Sequence, residues 1–114
     1  MASARHRTAI SRDELSRPLR LAILHEIVDK GTSVFDYGCG HGGDGSRLKK
    51  KGLKASGWDP YYQPDTKRKT TDVVNLGFVV NVIEDPIERA EVLREAWKLT
   101  RQTLIVSARL ENEL

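Results

Sequence analysis

A chain of 114 residues with one cysteine, 31% charged residues and a net charge of +3 is the size of one small globular domain, with room for a single core and little for a separate substrate domain. No apolar run approaches the roughly 20 residues of a membrane span. Met1 to Arg7 lacks the apolar centre of a secretory signal, and the lone Cys39 excludes an internal disulfide and fits a reducing cytoplasm.

Residues 1–15 read as a basic arm ahead of a core over 16–114. The arm carries Arg5, Arg7 and Arg12, with Ile10 its apolar anchor. Ser11-Arg12-Asp13-Glu14 has the spacing of a capping box. Arg5, His6, Arg7 and Thr8 suit a lid or a phosphate grip, and a frayed terminus is the bland alternative. A helix is expected from Ser16, with Pro18 in its first turn. Leu19, Ala22, Ile23, Ile27 and Val28 recur at helical spacing up to a C-cap at Gly31. His25 in this helix reads as structural.

A first buried strand is expected over 33–37, and it runs into Asp36-Tyr37-Gly38-Cys39-Gly40-His41-Gly42. Alternate glycines mark a turn whose backbone passes close to a ligand. Gly38, Gly40 and Gly43 also satisfy dinucleotide spacing, so a nicotinamide dinucleotide stays in view. The carboxylate of Asp36 favours a different ligand, because it repels a pyrophosphate and attracts an ammonium group. S-adenosylmethionine carries such a group. Asp36 also has a plainer role available, capping the turn. Cys39 reads as small packing within the turn rather than a nucleophile, and His41 as a loop residue.

A short helix from Asp44 to Lys49, stopped by Gly52, leads to a second strand at 54–58. Asp59-Pro60 closes that strand about twenty residues past the glycines, where a parallel strand delivers a carboxylate to ribose hydroxyls. A plain turn acid is the alternative. Tyr61 to Thr71 holds no helix and no strand, so one βα unit is skipped. A third buried strand follows over Asp72 to Gly77, then a helical turn over Phe78 to Val82. The next helix has Asp85 as its cap, Pro86 first and Glu88 third, and runs to about Leu99 with Ala90, Leu93, Ala96 and Trp97 inward. Phe35 and Trp97 are expected in the core. A fourth strand is expected over Thr103 to Ser107. The result is a Rossmann-like three-layer α/β sandwich with a reduced, mostly parallel sheet, in which Asp36, the glycines, Asp59 and Asn75 meet at the carboxyl ends of the strands.

Lys49-Lys50-Lys51 with Lys54, and Lys67-Arg68-Lys69, form basic clusters. They suit nucleic-acid phosphates or serve as solvated helix ends and loops. Few aromatics interleave with them, which argues against a single-strand stacking platform. One cysteine and scattered histidines give no metal-site spacing.

This constellation resembles the class I S-adenosylmethionine-dependent methyltransferases over about residues 31–108. The resemblance implies that Asp36, Tyr37, Gly38, Cys39, Gly40 and Gly42 form the first motif, at the methionine part of the cofactor. It places Asp59 and Pro60 at the ribose, and Asn75 and Leu76 beside the methionine and methyl group. Asn75 is the one catalytic candidate. Amino-methyltransferases acting on bases carry Asn-Pro-Pro-Tyr or -Phe there, and Asn75-Leu76-Gly77-Phe78 keeps only the first and last. Arg5 to Ile10, Leu15 to Arg20, Gly57 to Tyr62 and Asn81 to Asp85 together resemble the methyltransferase-like proteins associated with bacterial DNA phosphorothioation systems. Members of that family are longer, so the chain is expected to be a short form or a piece. Against the class I pattern it lacks the third strand that walls the adenine pocket and the last strand pair. S-adenosylmethionine or S-adenosylhomocysteine is the expected ligand, DNA an expected partner through the basic clusters, and a homodimer through an open edge at 103–107 the expected assembly. A non-catalytic binding module on the same fold is the alternative.

Overall fold

The computed structural model describes residues 14–39, 42–77 and 83–108. Along them run α1 (Arg17–Leu24), β1 (Ser33–Tyr37), α2 (Gly43–Lys50), β2 (Lys54–Trp58), β3 (Thr71–Gly77), α3 (Pro86–Lys98) and β4 (Thr100–Ser107). The strands pair in parallel in the order β2-β1-β3-β4. The α/β class and the parallel sheet match expectation. The basic arm through residue 13, Gly40, His41 and the turn at 78–82 lie outside the described residues.

Strands buried on both faces need apolar residues at successive positions, and β1 and β3 supply them. On one face Val34 and Val73, joined by Ala55 and Ile105, meet Leu19 and Ala22 of α1 and Leu48 of α2. On the other, Phe35, Tyr37, Val74 and Leu76 meet Val92, Leu93 and Ala96 of α3. Phe35 is fully buried, so its truncation to alanine would cost about 3–5 kcal/mol. The chain steps outward from β1 to β2 over α2, and in the opposite direction from β3 to β4 over α3. Crossovers of one hand taken in opposite directions put their helices on opposite faces. The winding therefore reverses between β1 and β3.

Two helices differ from expectation. α1 stops at Leu24 rather than continuing to Gly31. Glu26 adopts φ 60°, its N–H donates to Ile23 O, and the Ile27 N–H donates to Ala22 O at 2.8 Å. This is a Schellman terminus with glutamate in the left-handed position. Val28 is still buried, but Ile27 is left exposed. α2 ends the same way with Gly52 at φ 82°, its N–H on Lys49 O and the Leu53 N–H on Leu48 O. In α3 the Asp85 cap accepts from the Ile87 N–H, but Trp97 is 64% exposed and not core. The inward stripe is Val92, Leu93, Ala96 and Leu99, and Trp97 stands 100° round the helix from Ala96. β4 also starts three residues earlier than expected.

Residues 59–70 join β2 to β3 without helix or strand. Their closest substitute for a covering helix is Arg68. Its guanidinium lies 4.6 Å over the Trp58 ring, donates to the Tyr37 hydroxyl and sits 3.5 Å from Glu95 of α3. At the amino end of the sheet, Asp72 ties three strands together. It accepts from the Ser33 N–H at 3.0 Å and the Ser33 hydroxyl at 3.2 Å, and from Arg101 Nε at 3.0 Å.

Candidate ligand site at the switch point

Open parallel sheets bind ligands outside the carboxyl ends of their strands where the winding reverses. Here that point is the pair Asp36 on β1 and Asn75 on β3, which stand in register. Both are buried, at 6% and 2% exposure. Asn75 Nδ2 donates to Asp36 Oδ1 at 3.1 Å. The other half of the amide, Asn75 Oδ1, is buried with no hydrogen-bond partner among the described residues. A buried acceptor left unpaired costs about 1–3 kcal/mol, so that atom lacks a donor among the described residues.

The carboxyl of Asp36 is equally incomplete. Burial first, then the nearby charge of Asp44, push it up to about 7, while the Asn75 hydrogen bond pulls it down and Asp59 adds a further push up. No cation among the described residues answers it. Asp36, Asp44 and Asp59 thus give the crevice a negative potential, although no group of such residues is placed to chelate a metal ion among those described.

The glycine turn is held down on β2. The Gly38 and Cys39 N–H groups both donate to Trp58 O, at 2.7 and 2.9 Å. These two amides are spent on the strand and cannot cradle a pyrophosphate, which counts against a dinucleotide at this turn. The close approach needs Gly57, the register partner of Asp36 on β2. A Cβ at Gly57 would fall 2.9 Å from Cys39 Cβ. Cys39 packs there, its thiol pushed up to about 12 by burial and by Asp36 and Asp59, which leaves no thiolate for nucleophilic work at neutral pH. Gly42 takes φ 81°, and the Gln63 side-chain amide occupies the space its Cβ would need.

The remaining candidates divide. Asp59 lies at the end of β2 as expected, but its Oδ1 already accepts from the Tyr61 and Tyr62 N–H groups at 2.9 and 3.0 Å, as a turn acid does. Asp44 is also engaged, accepting from the Ser16 N–H at 2.9 Å and so anchoring the start of α1 beside the glycine turn. The Tyr37 and Leu76 side chains belong to the opposite face of the sheet; only their backbone borders the crevice. Pro60 is exposed. Sequence reasoning passed over Gly57 and Gln63. A glycine inside a strand was the available signal for the first; nothing local marks the second.

No protein-family model, no curated protein and no solved structure matches this chain, so the fold and the crevice are the ground on which its function is read.

Proposed function

We propose that the crevice binds S-adenosylmethionine and that the chain is a reduced class I methyltransferase-like domain. The observation that carries this reading is the uncompensated Asp36 carboxyl beside the unpartnered Asn75 Oδ1. A ligand ammonium would meet both acceptors at once and supply the missing charge. Asp36 and Asn75 would hold the methionine end, the glycine turn would admit it closely, and the end of β2 at Asp59 would border the ribose. The cofactor, when bound, supplies a methyl group activated by its sulfonium; the chain's own residues bind, orient and desolvate. The resemblance to phosphorothioation-associated proteins makes a bacterial DNA-modification system the proposed setting.

A non-catalytic binding module is the second reading. It is favoured by the Cys39 thiol, pushed out of reach of ionisation, and by the prior commitments of Asp44 and Asp59 to backbone N–H groups. Among the described residues at the crevice, these leave few free groups to move a proton. Calorimetric titration with S-adenosylmethionine, S-adenosylhomocysteine and NAD tests the proposal. Binding of the two adenosyl amino acids, lost in Asp36→Ala, is expected. Binding of NAD instead, or of none of the three, sinks it. Methyl transfer to DNA, measured on the same protein, separates the enzyme from the module.

A further inference from the structure

In a parallel sheet every strand begins at one end, and the helices that run back against the strands finish there too. The expected basic clusters fall at this amino end. Lys49 and Lys50 close α2, Lys51 caps it, Lys54 opens β2, and Lys67 and Lys69 precede β3. All six are exposed. The three acids that border the crevice stand at the carboxyl end, opposite these lysines.

Lysines at helix ends complement the macrodipole, and that accounts for Lys49 and Lys50 without any partner. It does not account for Lys54, Lys67 or Lys69, which lie on a strand and a loop. Arg101 at this end is tied to Asp72, whereas Arg68, between Lys67 and Lys69, is tied to Glu95; among the described residues none of the six lysines joins an ion pair. The starts of β2 and β3 are separated by β1 alone, two strand spacings or about 10 Å. Over that length of axis a duplex presents about six phosphates.

We infer that the amino end of the sheet is a docking surface for the backbone of a nucleic-acid duplex. A membrane surface would need large apolar groups among the charges; the exposed Leu24, Ile27 and Trp97 stand at this end too, where α1 and α3 finish, but none of the exposed large hydrophobic residues lies within the lysine segments 47–55 and 65–71. Single strands would need a row of stacking rings there; among the described residues the exposed Trp97, near the end of α3, is one such ring and not a row. Because the surface lies across the sheet from the Asp36–Asn75 crevice, it anchors a duplex without feeding the bound segment into the crevice. The inference stands apart from the identity of the crevice ligand.

The test uses the full chain and a fluorescein-labelled 20-base-pair DNA duplex of mixed sequence, read by anisotropy across a potassium chloride series. Log affinity should fall with log salt with a slope of about −3 to −5. Lys67→Glu/Lys69→Glu and Lys50→Glu/Lys51→Glu/Lys54→Glu should each weaken binding at least tenfold. Arg89→Glu/Arg94→Glu on α3, which changes the net charge as much as the first pair does, should stay within twofold. Thermal melts check that each variant folds, and S-adenosylhomocysteine titration should be the same with and without duplex. Three results would overturn the inference: a flat salt dependence, an equal loss in the α3 control, or binding to phosphatidylserine vesicles with no binding to the duplex.

Discussion

Asp36 and Asp72 are the same residue type on neighbouring strands of one sheet, and they end in opposite states. Asp72, at the amino end, has every partner a carboxylate wants: the Ser33 N–H and hydroxyl and the Arg101 guanidinium. The Ser33 backbone bond, then Arg101, hold it below the usual carboxylate range. Asp36, at the carboxyl end, has one amide hydrogen and no cation among the described residues, and burial pushes it up to about 7. The first acid is completed by the described fold; the second is left incomplete by the described residues. An acid whose partners are incomplete is the better candidate for a ligand contact.

The largest expected effect comes from neutralising the unfinished acid. Between its ordinary value near 3.8 and about 7, the native state holds a proton that the unfolded chain has released. Stability from this group therefore falls as pH rises through that window. Asp36→Asn keeps an acceptor for Asn75 and removes the penalty. At pH 8 it should stabilise the unliganded protein by up to about 4 kcal/mol while abolishing S-adenosylmethionine binding. Calorimetric melts and titrations at pH 5 and 8 measure both. An unchanged melt at pH 8 would mean that Asp36 is already compensated. Affinity for the cationic ligand should rise through pH 7 as Asp36 ionises.

Next is Gly57→Ala, which drives a methyl group onto Cys39 and lifts the glycine turn away from Asp36. A loss of about 1–3 kcal/mol is expected, with partial recovery in Gly57→Ala/Cys39→Gly. Additive losses in that double variant would show that the two residues do not press on each other. Arg101→Ala strips the finished acid of its guanidinium. The stability that Asp72 contributes is present above its ordinary pKa and lost as pH falls, so this variant should melt earlier than the parent by a smaller margin than Gly57→Ala. Its carboxyl, followed by NMR, should titrate at higher pH. Smallest is Glu26→Gly, at a site remote from both acids. Relieving the left-handed glutamate should stabilise by about 0.5–1 kcal/mol and leave ligand affinity unchanged.

Much of this arrangement was legible before any coordinates. Val34-Phe35 and Val73-Val74 announce doubly buried strands, and the glycines after Asp36 announce a close turn. Pro60 and Pro64, with a basic run ahead of Thr71, announce a missing unit. What stayed hidden depends on contacts between distant segments. Ile27 and Val28 keep helical spacing past the true end of α1, because spacing carries no record of the φ at Glu26. Trp97 is apolar and follows a buried alanine, yet the helix is turned by the stripe from Val92 to Leu99. The side chain of Asp59 could not be seen turning back onto Tyr61 and Tyr62, and the need for a bare Gly57 appears only when Cys39 is laid across it.

The Arg68 brace has a consequence for how such a domain can change. The connection it closes touches Trp58 and Tyr37 on the face away from Asp36 and Asn75, and it runs beside an edge strand. A strand and helix spliced between Gln63 and Lys67 would extend the sheet beyond β2 and replace a single guanidinium as the cover of those two rings. The crevice on the other side of β1 would keep its geometry. The joint is therefore a natural place for the fold to grow or shrink, with the ligand end left as it is.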